Sequence, residues 1–214
     1  MIRVKKSHEI PPSLLSTSRY DGRDVVSRLD KDQKKKCYLC ERVRDTDYEV
    51  EHRKSQSNSP EDRRNWQNLF LVCGYCNKRK LNLFDDIVDP GATDVEVLIS
   101  QRIDFANKKA LFDSVGQSDS SIGRTIALLD RLFNGKNGMR EYREEKFFEY
   151  FIGEMNRFLR IVNDYLFDPT PEHEFIVEEC LGIDQEFLGF KYWVVRDNPR
   201  LAERFSVCCV WNRV

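Results

Sequence analysis

The chain has 214 residues, of which 40% are hydrophobic and 33% are charged, and its formal net charge is −1. This length is sufficient for one medium-sized domain or two small ones with a packed core. The sequence has no uninterrupted apolar run of about 18 residues, so no membrane span is expected. Residues 1–6 lack the apolar run and the cleavage site of a secretory signal, which predicts a cytoplasmic protein.

The charge is divided unevenly along the chain. Residues 1–80 carry 19 Lys and Arg against 12 Asp and Glu, a net charge of +7, whereas residues 81–214 carry 16 against 24, a net charge of −8. Because positive charge attracts phosphates, the first part is expected to bind nucleic acid and the acidic second part to avoid DNA. Charge alone leaves open the alternative that the positive excess is an ordinary solvated surface.

The first 36 residues are predicted to form an N-terminal arm followed by a short helix. Residues 1–20 contain Pro11-Pro12 and a Ser/Thr-rich stretch, which makes them too polar and too interrupted to be a core element. They are expected to lie over the surface or to dock on a partner. Residues 23–36 are predicted to be a short charged helix that ends in three lysines.

The segment from residue 37 to residue 90 contains four cysteines in two Cys-x-x-Cys pairs. Thiols stay reduced in the cytoplasm, so these pairs predict metal ligands and not disulfides. Two such pairs are typical of a tetrahedral structural zinc site. The predicted ligands are Cys37, Cys40, Cys73 and Cys76. Between the pairs, residues 48–51 are predicted to be a strand, residues 55–62 a loop, and residues 69–72 a short buried stretch.

Asp89-Pro90-Gly91 breaks the chain, and the remainder, residues 91–214, is predicted to be helical. Ser120 or Ser121 is expected to cap one helix, which Gly135 ends. The other helices are predicted over about 139–167, 172–181 and 185–206. The aromatic stripe of the long helix is expected to be core, with a groove for a partner as the alternative. The three cysteines without metal-ligand spacing are expected to be small buried hydrophobic residues: Cys180, Cys208 and Cys209.

An acid–histidine pair, Glu51-His52, lies between the two cysteine pairs, and Asn77 directly follows the last cysteine. A neutral imidazole can take a proton from water at pH 7. Carboxylate and amide oxygens are hard ligands that suit Mg²⁺. Phosphodiester hydrolysis requires this combination of an activated water and a cation. On a strand Glu51 and His52 would point to opposite faces unless the strand ends there. His8 and His173 are expected to be ordinary surface or core residues.

These residues resemble the HNH endonuclease motif in the form that contains a four-cysteine structural zinc site. The resemblance covers the segments 37–40, 50–52, 66–69 and 73–80. The resemblance implies an α+β, mostly helical chain, in which a small ββα-metal module over residues 37–90 precedes a helical region. It implies further that His52 is the general base, that Glu51 and Asn77 hold one Mg²⁺ or Mn²⁺, and that Asn68 ties down the loop so that His52 faces the phosphorus. Five basic residues are expected to contact nucleic acid: Arg53, Lys54, Lys78, Arg79 and Lys80.

More narrowly, the chain is similar to the HNH nuclease subunit of Septu anti-phage defence, including the versions that accompany retrons. This similarity rests on residues 87–90, the helix 124–133, residues 2–4 and Pro11-Pro12. It implies the effector subunit of a bacterial defence complex, a hetero-oligomer with an ABC-type ATPase that docks on residues 91–214. DNA is favoured over RNA as the substrate, although cleavage of RNA such as tRNA stays open.

A second class of function also explains the cysteines and the basic first part of the chain. A zinc-stapled adaptor for nucleic acid or protein, without hydrolytic activity, would carry the same two features. Such an adaptor gives no reason for Glu51, His52 and Asn77 to occur together. The sequence therefore favours the enzyme.

Overall fold

In the computed structural model, the chain is described for residues 1–16, 19–44, 46–116 and 119–211, and it is mostly helical with two small sheets. The helices are α1 (Pro12–Ser16), α2 (Arg23–Asp32), α3 (Gly74–Lys80), α4 (Val95–Leu98), α5 (Ser120–Asn134), α6 (Tyr142–Phe167), α7 (Pro171–Cys180), α8 (Leu188–Asp197) and α9 (Pro199–Phe205). The strands are β1 (Tyr48–His52), β2 (Leu69–Cys73), β3 (Ile99–Asp104) and β4 (Lys109–Ser114). Short 3-10 turns cover Pro60–Arg64, Trp66–Asn68, Leu81–Leu83 and Ser206–Cys209.

The first sheet and the helix after it form the ββα unit that the sequence predicts. Strands β1 and β2 pair antiparallel, with Tyr48 opposite Cys73 and His52 opposite Leu69. Every residue of β2 is buried, which explains its unbroken apolar sequence. Helix α3 begins at the residue after β2 and packs against both strands. The mostly helical α+β fold with a four-cysteine cluster is confirmed.

The N-terminal segment is not the surface arm that its composition predicts. Met1, Ile2 and Val4 are buried in the main apolar core, and the Val4 amide donates to the Pro90 carbonyl at 2.7 Å. The prediction failed because the apolar side chains anchor the segment and because Lys6, which is also buried, donates to the Trp66 and Leu69 carbonyls. Residues 17 and 18 of the predicted arm lie outside the described residues.

Helix α2 confirms the short charged helix but ends before its lysine run. Lys34 and Lys35 adopt positive φ angles of 54° and 58°, which terminate the helix after Asp32. The following residues turn back toward the first cysteine pair. The lysine run is therefore a connection and not a helical turn.

The prediction that residues 91–214 are entirely helical is wrong over the second sheet. Strands β3 and β4 form an antiparallel hairpin with Ile99 opposite Ser114. Along β4, Ala110 and Phe112 are buried while their neighbours are exposed, a two-residue period typical of a half-buried strand. This hairpin packs against α5 and α8.

The other predicted helices are present, with changes at their ends. Asp119, and not a serine, caps α5 by accepting from the Ser121 and Ile122 amides, and Gly135 ends this helix at φ 82°. Helix α6 has 26 residues, which is about 39 Å at 1.5 Å per residue. Its aromatic stripe is buried, so the prediction of core is confirmed. Of the three other cysteines, Cys209 is buried, whereas Cys180 and Cys208 are partly exposed.

One cluster of buried apolar residues extends from the N-terminal segment through β2 to α6, α8 and α9. A smaller cluster lies under the other face of the first sheet and includes Leu14, Leu29, Trp66 and Leu71. The ββα unit is therefore packed between two apolar layers. The division of the chain at residues 36 and 90 stays a prediction. Within the described ranges, no helix is both long and apolar enough to cross a membrane.

Candidate active site

The four paired cysteines converge at the start of α3. Their Sγ atoms all lie within 4.8 Å of one another, with Cys40 and Cys73 at 3.9 Å, and all four side chains are buried. A zinc ion with Zn–S bonds of about 2.3 Å holds its sulfurs about 3.8 Å apart. The cluster could therefore hold a structural zinc ion.

The chemistry of the cluster also calls for a cation. Burial raises the pKa of the Cys40 and Cys76 thiols well above the ordinary value. A bound metal reverses this effect, because a coordinating thiol is deprotonated. A zinc ion would therefore be held by thiolates, and the hydrogen bonds that lower the pKa of Cys73 act in the same direction.

Helix α3, which begins directly after Cys73, packs against the face of β1 that carries Glu49 and Glu51. Glu49 and Glu51 alternate along β1 and point toward α3, as the two-residue period of a strand requires. Glu49 Oε2 accepts from Asn77 Nδ2 at 2.5 Å, and Glu51 Oε1 accepts from Lys80 Nζ at 2.7 Å. Two polar contacts therefore join the strand to the helix.

Both carboxylate oxygens of Glu51 are engaged inside the molecule. The Tyr38 hydroxyl donates to Oε2 at 2.8 Å, and the Lys80 ammonium holds Oε1. Burial raises the pKa of Glu51, whereas the charge of Lys80 and these two hydrogen bonds act in the opposite direction. Glu51 is therefore held by a lysine at the position where the resemblance implies a divalent cation.

Lys80 has no exposed surface, so it cannot contact phosphate as expected from the sequence. Besides Glu51, its ammonium donates to the His52 carbonyl at 3.1 Å and lies 3.8 Å from Asp85 Oδ1. Lys80 is thus an internal cation that fixes the end of β1. The expectation of a nucleic-acid contact at this residue is corrected.

His52 ends β1 and points to the opposite face from Glu51. Its Nε2 lies 2.8 Å from the Arg63 carbonyl, which can only accept, so Nε2 carries the proton and Nδ1 keeps a lone pair. The Gln56 amide lies 3.3 Å from Nδ1, and the Tyr20 ring packs edge-on against the imidazole at 4.5 Å. Burial lowers the pKa of His52, so the ring is neutral at pH 7. The residue is only 5% exposed.

Asn68 binds the backbone immediately after His52. Its Oδ1 accepts from the Lys54 amide at 2.8 Å and its Nδ2 donates to the Lys54 carbonyl at 2.9 Å, while its own carbonyl accepts from the Arg53 amide. These three hydrogen bonds extend the pairing of β1 and β2 by one residue on the side of His52. Asn68 therefore occupies the place expected of a residue that ties down the loop.

The remaining basic residues differ in how much charge they present to solvent. Lys78 is exposed and Lys54 is half-buried. Arg79 pairs with Glu144 at 2.9 Å. Arg53 lies 3.6 Å from Asp89 and donates to a backbone carbonyl. Lys78 is thus the most accessible of the five predicted contacts.

Glu51 and Asn77 are engaged by different partners. Asn77 Nδ2 donates to Glu49, and the two oxygens of Glu51 accept from Lys80 and Tyr38, so a divalent cation at Glu51 would have to displace these partners. Among the described residues, the four cysteines form the one group of three or more His, Cys, Asp or Glu that could hold a metal. Glu49 was missed, although the alternation of β1 places it on the same face as Glu51.

Three further residues at the site were not found from the sequence: Tyr20, Tyr38 and Arg63. Tyr20 and Arg63 contact His52 from segments distant in the sequence, and no sequence pattern indicates that these segments lie next to His52. Tyr38 lies inside the first cysteine pair, so its position next to the metal site could have been noticed.

The comparison with protein families agrees with this geometry. Residues 37–83 match the family described as HNH endonuclease. The chain contains an HNH domain. The matched range includes both cysteine pairs, Glu51, His52, Asn68 and Asn77, and an HNH domain supports nucleic-acid binding and nuclease activity at the level of the family. No curated protein matches the chain.

Proposed function

We propose that the chain is a metal-dependent HNH endonuclease that hydrolyses phosphodiester bonds, with DNA as the favoured substrate. The observation that supports this most directly is the state of His52 within the HNH domain. The imidazole is neutral, its Nε2 proton is fixed by the Arg63 carbonyl, and Nδ1 can accept a proton. A general base requires this arrangement.

In this proposal, the water replaces the Gln56 amide, which lies 3.3 Å from Nδ1 of His52, and gives its proton to Nδ1 as it attacks the phosphorus. The P–O bond to the leaving oxygen breaks, and that oxygen takes a proton from solvent. Asn68 holds the turn after His52, so that the imidazole keeps its orientation. Mg²⁺ or Mn²⁺, when bound, would neutralise charge on the phosphate. Glu51 and Asn77 were predicted to hold this cation, but Glu51 is paired with Lys80 in the structure.

The experiment is an incubation of the zinc-loaded chain with plasmid, phage DNA and total tRNA, with and without Mg²⁺. It is run with the chain alone and with the ABC-type ATPase that the Septu resemblance implies. Mg²⁺-dependent cleavage of DNA is the expected result. Cleavage of tRNA alone would move the substrate to RNA, and no cleavage under any condition would contradict the nuclease.

One observation favours a second candidate, a zinc-stapled adaptor without hydrolytic activity. His52 is almost fully buried, and both oxygens of Glu51 are occupied. Assays of binding and of cleavage, each with and without Mg²⁺, separate the two candidates. An adaptor binds nucleic acid or protein equally well with and without Mg²⁺ and cuts nothing, whereas the enzyme needs Mg²⁺ to cut.

The proposed context is a bacterial anti-phage defence complex in which this chain is the effector subunit. The net charge of −8 over residues 81–214 supports docking of a partner protein there, away from the basic first part of the chain. Exposed apolar side chains in the same region also support it, among them Phe167, Phe175 and Val207. Co-purification of the full chain with the ATPase tests this part, and failure to form a complex would remove it.

A further inference from the structure

A groove lies between α3 and α6. It has a volume of about 290 Å³. Asp47 and Gly74 line one end of it, beside the paired residues Tyr48 and Cys73 and away from the end of β1 that carries His52. It crosses from the HNH domain to the first turn of α6, which lies outside the matched range. The residues that line this α3–α6 groove are Asp47, Gly74, Tyr75, Lys78, Arg79 and Arg143.

The walls of the α3–α6 groove are held by buried contacts. Arg79 pairs with the largely buried Glu144, and its guanidinium lies 3.8 Å over the Tyr75 ring. Tyr75 stacks on Phe147 with ring centroids 4.5 Å apart, and its hydroxyl donates to the Leu132 carbonyl at 2.6 Å. These contacts tie α3 to α5 and α6, so the groove is formed before any ligand arrives.

The groove also presents two cations that the protein itself does not neutralise. Lys78 and Arg143 are both exposed, and within the described parts of the chain their side chains have no ion pair and no hydrogen bond. Neighbouring Arg140, in contrast, pairs with Glu145 at 2.7 Å. Two cations from two different elements therefore face one groove together with Arg79, against the single carboxylate of Asp47.

The segment that leads into α6 adds exposed apolar and aromatic surface beside these cations. Met139 is 73% exposed and Tyr142 is 78% exposed. Cationic grooves flanked by aromatic side chains are a common form of nucleic-acid binding surface. An acidic protein segment would be attracted by the same cations, but α3 belongs to the HNH domain, which supports nucleic-acid binding at the level of the family.

We propose that the α3–α6 groove binds backbone phosphates of duplex DNA, so that Arg143 extends the DNA-binding surface from the HNH domain onto α6. This inference rests on the proposed nuclease function. The contact made by Arg143 would lie beyond the HNH domain, in residues 81–214, whose negative net charge predicted no contact with DNA. Each cation that neutralises a phosphate releases counterions, which makes its contribution measurable through the salt dependence of binding.

The test compares Arg143→Ala with Arg160→Ala in full-length chains that also carry His52→Gln, so that bound DNA is not cut. Arg160 is an exposed arginine of the same helix, 17 residues further along. That separation is about 26 Å at 1.5 Å per residue, well beyond the screening length of about 10 Å at 0.1 M salt. Fluorescence anisotropy with a short labelled duplex gives the binding constant over about 50 to 200 mM KCl.

Arg143→Ala is expected to weaken binding several-fold and to reduce the slope of log K against log salt by about one. Arg160→Ala is expected to change neither quantity. Lys78→Ala, on the opposite wall, should repeat the effect of Arg143→Ala. Equal effects of Arg143→Ala and Arg160→Ala, or no effect of Arg143→Ala, would overturn the proposal.

Two other results have distinct meanings. If the His52→Gln parent binds neither duplex DNA nor RNA, the nuclease function itself fails, and the groove assignment fails with it. If the parent binds both and Arg143→Ala weakens only single-stranded RNA of the same length, the assignment to duplex DNA is overturned while a nuclease remains.

Discussion

The four-cysteine cluster and the acid–histidine site lie on the same ββα unit, but they differ in how complete they are. The four cysteine sulfurs already converge within 4.8 Å of one another, as a group that could hold zinc. Glu51 and His52 instead point to opposite faces of β1, and each is held by other residues of the chain. The fold of the backbone brings the cysteine ligands together. In the acid–histidine site, by contrast, other residues of the chain occupy the polar groups of Glu51 and His52.

This difference follows from where the ligands come from. The first cysteine pair lies in a tight turn, and the second spans the end of β2 and the first turn of α3, so local backbone geometry places two sulfurs at once. Glu51 and His52 are neighbours on a strand, and their side chains must diverge. The cysteine cluster should therefore behave as a structural element, and the acid–histidine site as one whose internal contacts can be altered without unfolding.

The largest expected effect is that of Cys73→Ser, which removes a zinc ligand. Binding of a structural zinc ion contributes on the order of 10 kcal/mol to the folding of a small module. The variant is expected to lose zinc and to unfold at a much lower temperature than the parent. Zinc content and the melting temperature are the measurements, and normal values of both would show that the cluster is not a structural zinc site.

The next largest effect is expected from Lys80→Met, which leaves Glu51 buried without its cation. Removing one partner of a buried ion pair typically costs about 3–5 kcal/mol. Lys78→Met on the same helix changes an exposed side chain and should cost under about 0.5 kcal/mol. Urea unfolding of both variants gives the comparison. Equal stability of the two variants would mean that the Lys80–Glu51 pair does not hold the end of β1.

Asn68→Ala is expected to have a smaller effect. It leaves the amide and the carbonyl of Lys54 without their partners, which should cost about 1–3 kcal/mol. Gln67→Ala changes the exposed neighbouring residue and serves as the control. The free energy of unfolding is measured for each variant. A cost for Asn68→Ala no greater than for Gln67→Ala would contradict its role in holding the turn after His52.

The smallest expected effect is a pH dependence of stability. Burial lowers the pKa of His52, so below its ordinary value of 6.5 the unfolded chain binds a proton that the folded chain does not. His52 should therefore reduce stability as the pH falls from 6.5 toward the folded pKa, and have no such effect above 6.5. Urea midpoints of the wild type and His52→Gln are compared between about pH 7.5 and 5.5. Parallel curves would contradict this assignment.

The difference between local contacts and contacts between distant segments explains which features the sequence could predict. The cysteine cluster, β1 and the buried stretch that forms β2 were predicted correctly because their signals are local: residue spacing, alternation and an apolar run. Helix α3 was implied by the resemblance to HNH endonucleases. The burial of the N-terminal segment, the β3–β4 hairpin and the pairing of Lys80 with Glu51 depend on contacts between distant segments. Lys80 shows the limit most clearly, since a lysine after two other basic residues was expected to face phosphate, and only the packing of α3 against β1 places it inside.

The central claim is that His52 is the general base of a phosphodiester hydrolase. It is tested most directly by the cleavage rate of His52→Gln, since glutamine can keep the hydrogen bond to the Arg63 carbonyl but cannot accept a proton from water. With zinc content and melting temperature unchanged, the rate is expected to fall by at least about 100-fold. A folded, zinc-loaded His52→Gln chain that cleaves at the wild-type rate would contradict the claim.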